Sequence, residues 1–465
     1  MPNQLAYLML LVWPMVVFVL YRRMAPDKAL IWAILGGYLL LPPLANFDLP
    51  VVPNLDKASI PNLSALVMVL FVLRDRVGLL PQSLFGKGML LLFMLGPFAT
   101  VLTNTAPIYL VAGVVPEMRI YDSIAIIANQ FIALLPFFLA RQYLSSAGSM
   151  RNIAVALVIS AMVYSIPMLI EVRLSPQINV WVYGFFQHDF LQMIRFGGFR
   201  PIVFLQHGLW VAFFVVMALL SAMALLRAGP AADRPKYTVA VLYLGVLLVL
   251  CKSAGPLVYA LGLAPAILLG GKRGILLLAA LLAIVTVTYP LLRGAHLIPI
   301  DSVLALAESA SPERAQSLRF RFDNEEMLLA HASEKPFFGW GGYGRNQVFD
   351  PVYGHMLTIS DGMWVISMGT FGWLGYIAQF GLLALPLLAL GREAWRGASE
   401  TFSLYVCLVA LMLGANMFDL LPNATLIPFT WLMAGALLGH VEARIAARQG
   451  QVTGAAPERR TRTIL

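Results

Sequence analysis

Continuous apolar runs of roughly 17–25 residues recur along almost the whole chain, each long enough to cross a hydrocarbon core as a helix. That feature leaves few folds open. In lipid, every backbone N–H and C=O must be satisfied within the protein, so only helices and closed barrels span. Barrel strands alternate apolar and polar residues over about ten positions, and these runs do not alternate. The fold class expected is therefore all-α: a polytopic integral membrane protein with about 12–13 transmembrane helices. Composition agrees, with 60% hydrophobic and only 12% charged residues, where a soluble chain carries about twice that charge.

Spans are expected at about 3–20, 29–46, 61–73, 88–105, 122–140, 152–170, 203–226, 237–251, 255–270, 274–292, 370–390, 402–420 and 425–441. Residues 3–20 lack a preceding basic segment, and Arg22 and Arg23 follow them, so they read as a retained first helix and not a signal peptide. Residues 1–445 form one transmembrane domain, with a large loop at 293–369, and 446–465 read as a disordered basic tail. Cys251 and Cys407 lie in or beside apolar runs, which excludes a disulfide framework and a cysteine metal site.

The net charge of +9 does not call for nucleic acid. Most of the 32 Lys and Arg fall on alternate loops, among them Arg22, Arg74, Arg141, Arg227, Lys272, Arg392 and the C-terminal arginines. Basic loops stay cytoplasmic. The C-terminus is thus expected in the cytoplasm, with the loops around 171–202 and 293–369 on the outer face, which in a bacterium is the periplasm. A multi-pass inner-membrane location follows.

The long loop is rich in Trp, Phe and Tyr, which argues against disorder. Ser311-Pro312-Glu313 reads as a helix start, serine capping and proline at the first helical position. The helix runs to Ala332 and places Arg314, Arg321 and Glu325 on one stripe. Lys335-Pro336 ends it, and Gly339-Trp-Gly-Gly-Tyr-Gly344 reads as a tight turn.

The cations at the outer boundary are Arg200, Lys252, Arg319, Arg321 and Arg345. Fixed cations at a membrane surface suit a lipid with a phosphate or diphosphate head, since arginine offers its oxygens a planar fork. Each also has a plainer reading. Lys252 and Arg200 can snorkel from helix ends, and Arg319 and Arg321 can pair with Asp323 and Glu325 at i,i+4. His207 is expected one turn inside the seventh span, where an ionisable group is a functional candidate by default. The candidate bases are Asp361, His331 and Glu325, with His355 a secondary candidate beside His207. Asp361 can equally cap the following helix, and His331 can sit at its helix end for the dipole alone. The pair Asp323 and Glu325 beside two arginines is a poor divalent-metal site, and no metal or other cofactor is expected. The glycine run lacks the Lys-Ser/Thr of a P-loop.

Lys335-Pro-Phe-Phe-Gly-Trp-Gly-Gly-Tyr-Gly344, followed by a polar residue opening a helix and then Gly372-Trp-Leu-Gly375, resembles the O-antigen ligase / O-antigen polymerase superfamily. Gly198-Phe-Arg-Pro201 and Lys252-Ser-Ala-Gly255 are similar to two further family steps. The resemblance covers roughly residues 195–385. It implies a glycosyltransferase C-like membrane fold and an enzyme that polymerises polyprenyl-diphosphate-linked oligosaccharide repeat units at the periplasmic face. It implies that Arg200, Lys252, Arg319 and Arg321 hold the diphosphate, with Arg345 in reserve. Asp361 or His331 would serve as base, with Glu325 next. Trp181, Tyr183, Trp340 and Tyr343 would be available to stack on sugars. Partners would be the lipid-linked glycan, membrane lipid, and a chain-length regulator or flippase of the same pathway. The alternative within the class is a ligase passing the glycan to a lipid or protein acceptor. Ligases often carry His-Asn where this chain has Asp361-Gly362, and that departure favours the polymerase. A transporter or flippase of lipid-linked sugar is the alternative of another class. Transporters favour internal repeats and mid-membrane polarity, whereas polarity here concentrates in the outer loops.

Overall fold

The computed structural model describes residues 1–49, 53–195, 197–310 and 312–453. The expected Ser311 cap, the Arg314 side chain and the tail from 454 lie outside the described residues. The helices are α1 (Gln4–Arg23), α2 (Pro26–Leu40), α3 (Ser59–Val67, continued as a π-turn to Val72), α4 (Leu84–Leu102), α5 (Ile120–Tyr143) and α6 (Ala147–Leu174). There follow α7 (Ile178–Tyr183), α8 (Gly208–Ala228), α9 (Arg234–Leu250), α10 (Ala254–Leu269) and α11 (Lys272–Gly294). The last five are α12 (Ile300–Ala310), α13 (Pro312–Ser333), α14 (Met363–Trp395), α15 (Leu404–Asp419) and α16 (Pro428–Thr453). Each expected span coincides with a helix. Among the described residues, 7 helices are long and apolar enough to cross a membrane, and α3, α10 and α15 are shorter apolar helices. The chain is an all-α, multi-pass membrane protein.

Local sequence explains the helix starts. Ser83, Ser146 and Ser403 each accept a backbone N–H of the following turn, at α4, α6 and α15. Prolines inside α1, α4, α5, α6, α10, α11 and α14 do not end those helices, as is common where neighbouring helices satisfy the freed groups.

Burial ranks the helices. In α8, 83% of the apolar window is buried, against 28% in α1. Nearly all of α15 is buried too. These two central helices end in polar surroundings at the same end of the bundle, α8 starting there and α15 finishing there. Three two-stranded antiparallel hairpins decorate that end: Asn46–Phe47 with Leu55–Asp56, Ile108–Leu110 with Gly113–Val115, and Ile194–Arg195 with Gly198–Phe199. The opposite end gathers the basic loops. There Arg227 donates to the carbonyls of Ile267 and Gly270, and Arg448 pairs with Glu393.

Several boundaries differ from those read in the sequence: α2 ends at Leu40 and not at 46, and α14 starts at Met363 and not at 370. The stretch 293–369 holds a further helix, α12. The seventh span begins at Gly208 and not at 203, because residues 200–207 are held as an irregular strap. Helix α16 runs to Thr453, eight residues into the expected tail, since Glu442, Arg444 and Arg448 find partners on other elements.

Candidate functional site

The strap that follows Arg200 is held by side chains. Glu171, fully buried near the end of α6, accepts the N–H groups of Ile178 (3.0 Å), Ile202 (2.7 Å) and Val203 (2.8 Å). Gln187 donates to the carbonyls of Val203 and Leu205 at 2.8 and 3.0 Å. Lys57 donates to the carbonyl of Phe204 at 2.6 Å, and the Phe204 N–H donates to Tyr164 at 3.0 Å. Val203 lies at φ 50°, an outlier for a β-branched residue that this network over-determines.

The strap presents two candidates. Arg200 is buried and donates through Nη2 to the Lys252 carbonyl at 3.4 Å, while its Nε has no acceptor among the described residues. Burial brings its guanidinium down to about 10, with Arg195 adding to the effect. Lys252 occupies the break between α9 and α10 at φ 49°. Its Nζ lies where any Cβ on Gly198 would stand, which explains the glycine before Phe199-Arg200. His207 is not inside the seventh span: it is the N-cap of α8, and its Nδ1 accepts the Leu209 N–H at 2.9 Å. Its ring centroid is 4.5 Å from that of His188. Burial holds His207 neutral, down to about 3, and the positive fields of Arg200, Arg321 and Arg195 push the same way.

Arg321 comes from α13. Its Nε lies 3.4 Å from Oδ2 of Asp361, and its Nη1 donates to the Pro422 carbonyl at 3.2 Å. It pairs with Asp361 and not with Glu325 one turn on. Asp361 does not cap α14, whose N-cap is Gly362 with no side-chain bond. The Arg321 and Asp361 side chains are 31% and 37% exposed, so the pair is open to a ligand. Glu325 faces inward. Tyr289 and Trp364 donate to its two oxygens at 3.3 and 3.4 Å, and burial raises it to about 7 against the opposing pull of those donors, Arg293 and Arg321. Asp323 is exposed, so these two carboxylates do not converge.

The glycine-tryptophan motif has a structural occupation. Residues 336–341 lie along a break in α14. The N–H groups of Trp340 and Gly341 donate to the carbonyls of Gly369 (2.8 Å) and Thr370 (2.9 Å), and Trp373 N–H donates to Pro336 (2.7 Å). Gly372 has φ 65° and ψ −167°, and a Cβ there or on Gly339 would strike the facing backbone. On the other side, Thr100 of α4 and Asn104 just past its end donate to the carbonyls of Phe338 and Gly339. His331 stacks on Trp340 at 4.3 Å and 15° and receives that indole's N–H on its carbonyl. Arg345 sends all three guanidinium nitrogens to carbonyls, those of Trp340, Pro116 and Ala106.

Of the residues singled out in the sequence, the fold brings together Arg200, Lys252, His207, Arg321, Asp361 and Glu325. It assigns His331 and Arg345 to holding the Gly-Trp-Gly turn, so neither is free as base or diphosphate ligand. Arg319 and His355 are exposed. Of the four aromatics, Tyr183 is buried with its hydroxyl on the Leu40 carbonyl, and Trp340 is packed under His331. Trp181 and Tyr343 stay exposed. Sequence reasoning missed Glu171, Lys57 and Asp419. Asp419 closes α15 and accepts from Asn423 and Thr425 at 2.9 Å each. Lys57 lines a cavity of about 240 Å³ with Tyr38, Asn62, Gln206 and Trp210, one residue from His207. Each of the three is an ionisable residue at the edge of an apolar run, which was the available signal.

Neither the family models nor the curated proteins compared with this chain give a match.

Proposed function

We propose that the chain is a membrane glycosyltransferase that polymerises polyprenyl-diphosphate-linked oligosaccharide repeat units. The observation that carries this reading is that Arg200 and Arg321, from separate segments, both act on His207 at one end of the bundle, with Lys252 tied to Arg200 through its carbonyl and an accessible carboxylate, Asp361, paired with Arg321. The neutral His207 sits among them and adds no charge of its own. A diphosphate needs such a fixed cationic setting, most of all as it leaves and charge develops on its oxygens.

In the proposed reaction an acceptor hydroxyl oxygen bonds to the anomeric carbon as the bond from that carbon to the diphosphate oxygen breaks. The electron pair leaves with polyprenyl diphosphate. The hydroxyl proton passes to Asp361, and Arg321, released from Asp361 as that group is neutralised, turns to the diphosphate. Glu325, half-ionised near neutrality, is the next proton acceptor. The cavity beside Lys57 offers room for a sugar ring. The arginine-rich opposite end supports a cytoplasmic C-terminus in an inner membrane, with the site in the periplasm.

Arg321→Ala is expected to abolish polymer while the protein still inserts, read as the loss of the glycan ladder in a complemented deletion strain. Normal-length polymer would reject the site. In the deletion strain itself, a single repeat on its final carrier marks a polymerase, and long chains stranded on polyprenol mark a ligase.

A further inference from the structure

At the end of the bundle away from the candidate site, the last turns of α14, the connection to α15, and α16 enclose a second cavity, of about 250 Å³. Arg392, Arg396, Arg444 and Arg448 line it, with one carboxylate, Glu393. That carboxylate is already taken, its Oε2 lying 2.5 Å from Nη2 of Arg448. Arg444 lies over the Phe402 ring at 4.2 Å and donates to Thr401 at 2.7 Å, and its Nε is buried without an acceptor among the described residues. Arg392 and Arg396 are exposed, and neither has an acceptor among the described residues. Four guanidiniums therefore face one cavity, and among the described residues a single lining carboxylate offsets them.

The walls are not those of a site for a free ion. Phe402 and Ile445 line it beside the arginines. Trp395 and Ile445 are 72% and 45% exposed next to it, as suits residues at a membrane–water boundary. An apolar wall running from such a boundary into a basic cavity fits an amphiphile whose head is a phosphodiester. Arginine forks meet the phosphate oxygens, and the acyl chains follow the helices outward.

We propose that this cavity binds the head group of an anionic phospholipid. The proposal is independent of the glycan reading, because it uses neither Arg321 nor any residue of that end. The test is native mass spectrometry and thermal unfolding of the full chain in neutral detergent. The probes are phosphatidylglycerol, phosphatidylcholine and inorganic phosphate. The variant is Arg392→Gln/Arg396→Gln, both at exposed positions, and the control is Arg234→Gln, another exposed arginine of the same end. Wild type and control should retain phosphatidylglycerol and be stabilised by it over phosphatidylcholine. The double variant should lose both effects while its unfolding temperature without lipid is unchanged. Equal retention of the two lipids, or retention by the double variant, would overturn the proposal. So would inorganic phosphate matching phosphatidylglycerol, which would mark a bare anion site.

Discussion

Glu325 is a carboxylate whose burial makes the protonated form the comfortable one. Its folded value stands at about 7 against an ordinary 4.5. The stability it contributes is fully present below about pH 4.5 and is lost as pH rises through 7. Glu325→Gln removes that dependence. Its unfolding temperature should match wild type at low pH and exceed it above neutrality, the difference growing between the two values. Glu171 is a different case, a carboxylate whose oxygens satisfy two N–H groups of the strap and the first N–H of α7. Glu171→Ala orphans buried donors at on the order of 1–3 kcal/mol each. Amide exchange at 202 and 203 should accelerate, and activity dependent on Arg200 should fall with it. Glu171→Gln, with one acceptor oxygen in place of two, should restore only part. Neither residue's partners were legible in the chain. Arg321 and Glu325 share a helix stripe, and i,i+4 spacing makes an ion pair between them the natural reading. The tertiary fold overrides it by bringing Asp361 to Arg321 and two aromatic donors to Glu325.

At the scale of the element, α14 is the informative case. Its apolar run is plain in the sequence, and so is the glycine spacing of Gly372 and Gly375. The meaning of Gly372 was not, because it depends on a loop some thirty residues earlier folding back onto it. Its φ and ψ fall where essentially only glycine is tolerated. Gly372→Ala should destabilise by at least about 1–3 kcal/mol, read as a lowered unfolding temperature, with new protease cleavage in 336–341. The same logic covers the seventh span. Val203, Phe204 and Leu205 are apolar enough to extend a helix, and pattern alone includes them. Glu171, Gln187, Tyr164 and Lys57 take their backbone groups instead, and α8 starts only at Gly208.

For the whole molecule, hydropathy was enough to fix class and order, because lipid admits helices and little else. Which helices are central was not legible. α11 and α8 are similarly apolar in sequence, yet 39% of the apolar window is buried in one and 83% in the other. The two ends also differ in kind, one arginine-rich and one carrying the hairpins and strap. Single cysteines introduced at His355 and at Arg396, in a chain with Cys251 and Cys407 replaced by serine, should label from opposite sides. A membrane-impermeant maleimide applied to intact cells is expected to reach position 355 alone. Labelling of both, or of 396 alone, would reject the orientation.

The bond pattern of residues 336–341 also has a consequence in time. These residues lie between α4, made long before them, and the first turns of α14, made after them. During synthesis one flank of the segment is waiting and the other does not yet exist. Its bonds to Gly369, Thr370, Trp373 and Leu374 cannot all form until residue 374 has been made. The clasp is therefore a late event in assembly, and its closing joins α4 to α14, helices made more than 250 residues apart.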